Sequence, residues 1–444
     1  MVTSARLAAS ALLLASSLAA RADVIEASST TVLSAGQQLR GREAGQEPDL
    51  AKVATVYELI RVSAREVRNP IFQDLEVSFS GWGSGDLQAV RWDAGTSGKV
   101  SGDIITAYAR GTLAKGMVQV RAGREFVAAG AGRMLQLDGG DLLIRLPAGF
   151  SVSVFGGVPV SQRFSSRTTA TSWNPAGGDL AWGGRLGWTL ALAGVSGRGL
   201  DLGLSMVQVS NHSDPVRQDL GVDLRIQPIS RLTLAGNLTY SLYASRLAEY
   251  NLTALISATR DLTVNLDVRY TSPGLFLAAN SILSVFTDTT RTAVGGGVRY
   301  QLTRTLNAAL DYHALLQPGD QAGATETGGE AAGRVEWVGH GTVAGGEISY
   351  LATGDKGYTA LRGYGRKELG KLFVAGDLTE VMFKQDVNGQ RNSLTGSISA
   401  GYRFARAWSV VVAGRAGVTP YFERQADAIV KLAYNNLVRV REVK

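Results

Sequence analysis

Between residues 217 and 270 the chain writes four consecutive segments in which apolar and polar residues alternate. In one of them Leu232, Leu234, Leu238, Tyr240 and Leu242 fall on one face, and Thr233, Asn237, Thr239 and Ser241 on the other. The next repeats the pattern: Leu262, Val264, Leu266 and Val268 oppose Thr263, Asn265, Asp267 and Arg269. Side chains of a strand point alternately to opposite faces, so each segment is a ribbon with one greasy and one polar side. The pattern recurs along most of the chain. A sheet that is apolar on one face only must cover that face, and lipid around a closed barrel is one way to do it. The expected fold class is therefore all-β: a single-chain antiparallel transmembrane β-barrel of about 20–22 strands, following a cleaved signal peptide.

The start of the chain supports export. Arg6 gives a short basic stretch, residues 7–19 are rich in Ala and Leu, and Ala20-Arg21-Ala22 has the small-x-small form of a cleavage site. This reading makes residues 1–22 a signal peptide and 23–444 the barrel, with the first strands, within 24–67, the least sharply marked. Beyond the signal no apolar run reaches the length of a membrane-spanning helix, which excludes a helical bundle but not a barrel. The chain has no cysteine, so disulfides and thiolate metal sites are excluded. The net charge of +7 falls to +5 once Arg6 and Arg21 are removed, and the charges are dispersed. No nucleic-acid partner is implied. Glycine is abundant (54) and proline scarce (10), which suits tight turns and closely spaced strands.

Short turns recur at 147–149, 196–199, 228–231, 259–261, 303–304, 339–341, 369–371 and 405–407. Longer polar connections are expected between them, at 84–98, 161–179, 273–290, 317–330, 384–392 and 419–427. Short turns at one end and longer loops at the other are what outer-membrane barrels display, with the short side toward the periplasm. Aromatic residues gather near strand ends, namely Trp82, Trp92, Trp182, Trp188, Tyr240, Tyr270, Tyr300, Trp337, Tyr350, Tyr402 and Trp408, as expected of interfacial girdles.

The polar faces carry charges of both signs. The candidate pore-lining residues are Arg217, Asp219, Asp223 and Arg225 on one strand, then Glu249, Asp267 and Arg269. Arg299, Asp311, Arg334 and Glu336 continue the series, with Glu347 beyond them. In a closed barrel these would point inward, where charges tune the field in a water-filled pore or simply pair with one another. Residues 161–179 form a Ser/Thr-rich loop long enough to fold inward and narrow the lumen. The three histidines, His212, His313 and His340, show no nucleophile-base-orienter arrangement, and neither a metal-ligand spacing nor a phosphate loop is present. No catalytic activity and no cofactor are expected.

Several stretches resemble the porin-like outer-membrane β-barrel proteins of Gram-negative, myxobacterial-type bacteria, an uncharacterised family. They are Phe79-Ser80-Gly81-Trp82-Gly83 with Asp86-Leu87, Gly123-Arg124-Glu125-Phe126, Leu137-Asp138-Gly139-Gly140, Phe155-Gly156-Gly157-Val158-Pro159-Val160, and residues 281–286. The resemblance implies a barrel and no defined catalytic or ligand-binding residue. The chain departs from the usual terminal aromatic by ending Arg441-Glu442-Val443-Lys444. The function expected is a porin-like channel in the cell outer membrane that passes hydrophilic solutes passively. An export or assembly barrel of an envelope machine and a structural or adhesive barrel are the alternatives. The expected partners are outer-membrane lipid and lipopolysaccharide, the barrel-assembly machinery and, for the export reading, periplasmic proteins.

Overall fold

The computed structural model describes residues 22–40, 49–87, 100–131, 134–160, 179–191, 199–211, 214–272, 290–318, 324–354 and 356–439. The strands run in chain order. The first are β1 (Ala22–Arg40), β2 (Asp49–Val67), β3 (Asp74–Asp86), β4 (Val100–Leu113), β5 (Val118–Val127), β6 (Leu135–Arg145) and β7 (Phe150–Pro159). Then come β8 (Leu180–Ala191), β9 (Gly199–Asn211), β10 (Asp214–Ile229), β11 (Leu232–Ser241), β12 (Arg246–Ser257), β13 (Leu262–Thr271), β14 (Arg291–Gln301) and β15 (Leu306–Pro318). The last are β16 (Thr325–Gly339), β17 (Thr342–Thr353), β18 (Lys356–Leu369), β19 (Leu372–Val387), β20 (Gln390–Tyr402), β21 (Trp408–Thr419) and β22 (Phe422–Arg439).

All belong to one 22-stranded sheet. Each strand pairs antiparallel with the next, and β1 pairs with β22, with Ile25 opposite Val438 and Leu33 opposite Val430. That last ladder closes the sheet into a barrel and leaves no free edge. The two weakly marked opening strands are present as β1 and β2, longer than their alternation suggests. Closure explains why: each is held by ladders on both sides, from β22 and from β3.

Pairing carries the two faces around the wall. Leu224, Gly236, Leu252, Val268 and Val294 stand opposite one another across β10–β14 and face outward. One residue away, Asp223, Asn237, Asn251, Arg269 and Ala293 form the matching inward row. The outward face is a band of exposed aliphatics, including Leu266, Leu310, Ile348 and Ile398. Polar exceptions occur: Glu58 faces outward on β2, and its carboxylate is held by the hydroxyls of Ser29 and Thr31.

Outward aromatics mark both ends. Trp188, Tyr300, Trp337, Tyr402 and Trp408 lie near the short turns, and Trp182, Tyr240, Tyr270 and Tyr350 near the opposite end. Phe150 stacks on Trp188 at 5.9 Å and Tyr250 on Tyr270 at 5.4 Å. Trp82 is a correction: it faces inward, opposite Leu59, because the β2–β3 register places it on the face of Ser78 and Ser80. Trp92 lies outside the described residues.

The expected inequality of turns and loops holds only in part. The hairpins at 384–392 and 419–427 are tight, with β19 running to Val387 and β20 starting at Gln390 around Asn388-Gly389, and only 420–421 separating β21 from β22. Polar residues there extend strands, because ladder bonds are available to any residue with a free N–H. Residues 1–21 of the expected signal peptide and most of the loops at 161–179 and 273–290 lie outside the described residues, and Ala22, its expected last residue, opens β1.

Candidate functional site

The interior of a barrel built this way should be wet and polar, and most of it is. The sector from β5 to β11 departs from that. The β5–β6 connection turns into the barrel: Ala129 is 1 % exposed, and Val127 and Ala131 are buried. Val127 and Ala129 pack against Leu137, Phe155, Ala181, Val207 and Val209. Those five side chains come from the inward faces of β6–β9. Thr239 on β11 donates a hydrogen bond of 2.9 Å to the carbonyl oxygen of Ala131, 108 residues away.

Two glycines make room for this contact. Gly130 has φ +54°, and a Cβ there would lie 2.2 Å from Oδ2 of Asp223. A Cβ on Gly221 would lie 2.7 Å from Cβ of Ala131. A larger residue at either position would drive the segment away from the wall.

The contact also fixes the shape of the cross-section. A circular barrel of 22 strands, spaced about 4.8 Å and tilted about 40°, would be roughly 44 Å across, with β5 and β11 roughly 33 Å apart. Four residues beyond Val127 span at most about 14 Å. The wall from β5 to β11 therefore curls more tightly than a circle, and the in-folded segment 128–131 narrows that side of the lumen.

Charged groups surround this segment. Arg185 on β8 bridges two neighbouring strands, with Nη2 2.6 Å from Oδ1 of Asp201 and 2.5 Å from Oδ1 of Asp223. Its Nε donates to the other oxygen of Asp223 at 3.0 Å. Below Val127, Arg121 lies 2.8 Å from Glu125 and 3.1 Å from Asp141. These two contacts are close but poorly aligned for hydrogen bonding. Glu125 is fully buried, with the Arg121 guanidinium against it.

The eleven candidates read from the sequence all share the inward face. Arg217 pairs with Asp219 at 2.5 Å, and Asp223 is held by Arg185. Glu249 accepts from Asn237 at 3.2 Å. Asp267 sits between Arg269 at 2.8 Å and His313 at 2.9 Å. Glu336 accepts from the Tyr364 hydroxyl at 2.7 Å. Arg225, Arg299 and Arg334 are inward and exposed, and Asp311 is half-buried opposite Gly297. The structure groups Arg217, Asp219 and Asp223 with the in-folded segment and leaves the others spread along the remaining wall.

The groups nearest the constriction, Arg121, Glu125, Asp141, Arg185 and Asp201, were not among the candidates. Their strands alternate poorly because the inward face there holds Val127, Leu137, Phe155 and Val207, which the in-folded segment covers. The spacing of Arg121 and Glu125, both on the inward side of one strand, was the available signal.

His313 and Asp267 form a buried pair, but among the described residues the His313 ring bonds only to Asp267, so no nucleophile joins it. His340 is exposed in a turn, and His212 lies outside the described residues.

No protein-family model and no curated protein matches the chain. Solved structures do. A mutant ferric enterobactin receptor from Pseudomonas aeruginosa superposes with a TM-score of 0.57 at 10 % identity, over 92 % of this chain and 80 % of that one. The same receptor bound to enterobactin gives 0.56 at 11 % identity, over 92 % and 81 %. A BenF-like porin from Pseudomonas fluorescens is more distant, with 0.44 at 8 % identity over 93 % and 99 %. At such identities the likeness concerns the fold, which is that of a large outer-membrane β-barrel.

Proposed function

We propose that the protein is an outer-membrane channel that passes hydrophilic solutes passively through the lumen. The observation that carries this reading is the combination of inward orientation and solvent exposure in Arg225, Arg299 and Arg334. Arg362 and Arg415, both also inward, keep 48 % and 53 % of their side-chain surface accessible even while paired with Asp377 and Asp427. Charges that face the interior and still meet water require an aqueous lumen.

The outward band supports a membrane setting. Ile398 and Leu310 are 66 % and 62 % exposed, and the described strands form one closed sheet with no second sheet to cover that face. In water such a band would drive aggregation; in lipid it is the expected surface. The signal-like residues 1–22 fit delivery to that membrane. On this reading the lumen is offset, because segment 128–131 occupies the β5–β11 side and solutes pass between it and the arginine-bearing wall of β13–β22.

Planar-bilayer recording of the purified full chain tests the proposal. Stepwise insertion of ohmic conductance is expected; a folded, inserted barrel that is silent at every voltage would falsify it.

A further inference from the structure

The turns at one end of the barrel carry a charge pattern that neither channel conduction nor folding requires. Along the arc from β10 to β21 five of the six turns place Arg231, Arg260, Arg304, Lys371, Arg403 and Arg406 at the rim, all six exposed, and the β16–β17 turn, His340-Gly341, carries neither Lys nor Arg. Lys115 continues the series on the β4–β5 turn, and Arg68 stands on the β2–β3 turn with Asp23 3.6 Å away. In the same described turns the acid present is Asp261. A surface that needs only to be solvated mixes the two signs.

Inside, Arg121, Arg185, Arg269, Arg362 and Arg415 each engage a carboxylate, whereas Arg225, Arg299 and Arg334 face the water of the lumen. Among the described residues the six rim cations of the arc have no carboxylate within ion-pair distance. Arg231 reaches no more than the Ala258 carbonyl oxygen, at 3.5 Å. Their charge is left directed outward.

Position identifies what meets it. Tyr300 precedes Arg304 by four residues, and Tyr402 and Trp408 flank Arg403 and Arg406. Trp408 packs on Tyr434 at 4.8 Å and on Phe404 at 6.3 Å. Outward aromatic rings mark the headgroup boundary of a bilayer. At about 3.3 Å per residue along a tilted strand, the turn cations stand roughly 5–10 Å beyond those rings, at the depth of lipid phosphates. The cations are spread over more than half of the circumference, as lipid is, whereas a docked protein would require a one-sided patch.

We infer that the short-turn rim is a binding surface for the phosphate groups of anionic phospholipids in the adjoining leaflet. The contact is a charge-assisted one between guanidinium or ammonium groups and phosphodiester oxygens, and it holds this end of the barrel at a fixed depth. It is independent of whether the lumen conducts.

The test uses the full chain in nanodiscs of equimolar phosphatidylcholine and phosphatidylglycerol, with the retained lipids counted by native mass spectrometry. Wild type should retain phosphatidylglycerol over phosphatidylcholine by on the order of two- to fivefold at low salt, and lose the preference at high salt. The quadruple variant R231S/R304S/K371S/R406S changes exposed turn residues only and, with Arg260 and Arg403 still in place, should lose most of the preference. Heat-modifiable gel mobility shows that it is folded; if it is not, the pairs R231S/R304S and K371S/R406S should each lose part of the preference. Equal retention by wild type overturns the inference, as does a preference unchanged in the folded variants. Variant-sensitive binding of an acidic polypeptide without any lipid preference would also overturn it, in favour of a protein partner.

Discussion

Replacing Gly221 with leucine should expel the in-folded segment from the lumen. A Cβ at this position already lies 2.7 Å from Cβ of Ala131 and 2.5 Å from Oγ of Ser205, and leucine adds three more carbons. Something must yield, and the relative strengths decide what. The segment is held by burial of the methyl groups of Ala129 and Ala131, at about 0.8 kcal/mol each, and by the Thr239 hydrogen bond, at about 1 kcal/mol. That sums to roughly 2–3 kcal/mol. Displacing β10 instead would disturb its ladders to both β9 and β11, each of many hydrogen bonds at about 1 kcal/mol apiece. The segment is therefore the weaker element and should leave while the barrel stays closed. Two readouts follow. Single-channel conductance should rise relative to wild type. A cysteine at Ala129, 1 % exposed in the parent, should become reactive to a membrane-impermeant maleimide only in the Gly221→Leu background. Unchanged conductance together with an unreactive cysteine, in a barrel that still shows heat-modifiable mobility, would refute the assignment of this segment as the constriction.

Other expectations follow from the same geometry. Arg185→Met removes one positive charge beside Asp201 and Asp223; about 8 Å from a permeating ion this is worth about 0.5 kcal/mol in water and roughly 0.2 after screening, so the K⁺/Cl⁻ permeability ratio should rise about twofold in a salt-gradient reversal-potential measurement. Thr239→Val leaves the Ala131 carbonyl without its side-chain partner and should produce more frequent transitions between conductance levels, read in single-channel traces. Asp267→Asn strips the ion pair from Arg269 and weakens the bond to His313, and should lower stability by about 2 kcal/mol in urea titration of the reconstituted barrel. Leu266→Arg, outward and 52 % exposed near the middle of β13, should cost about 2–4 kcal/mol in lipid, whereas Asn265→Arg, one residue away and inward, should cost far less.

How much of this was legible in the sequence depends on the sector. In β10–β16 most outward side chains are apolar and most inward ones polar, although Leu315 is inward and buried. Period two assigns the faces there except at the bulges near Ile226 and Tyr240, and the eleven charged candidates fall inward for that reason. In β5–β9 the same rule blurs, because part of the interior is packed rather than wet. Leu137, Phe155 and Val207 are apolar and inward, and a reader of alternation has no means to tell such a strand from a poorly patterned one. Most of the loop expected to fold inward, 161–179, lies outside the described residues, and the described segment that enters the barrel is a different stretch. Ala128-Ala129-Gly130-Ala131 is short and carries no polar signature.

The sequence by itself determined that this chain makes a one-sided sheet long enough to close, and which residues share each side, because side-chain direction along a strand is a local property. Only the tertiary structure decided where the wall curls and what fills the curl. That depends on the missing side chain of Gly221 and the hydroxyl of Thr239, which meet Ala131 only after β10 and β11 have been brought round to face β5. A contact between residues 108 positions apart has no period for a sequence to display.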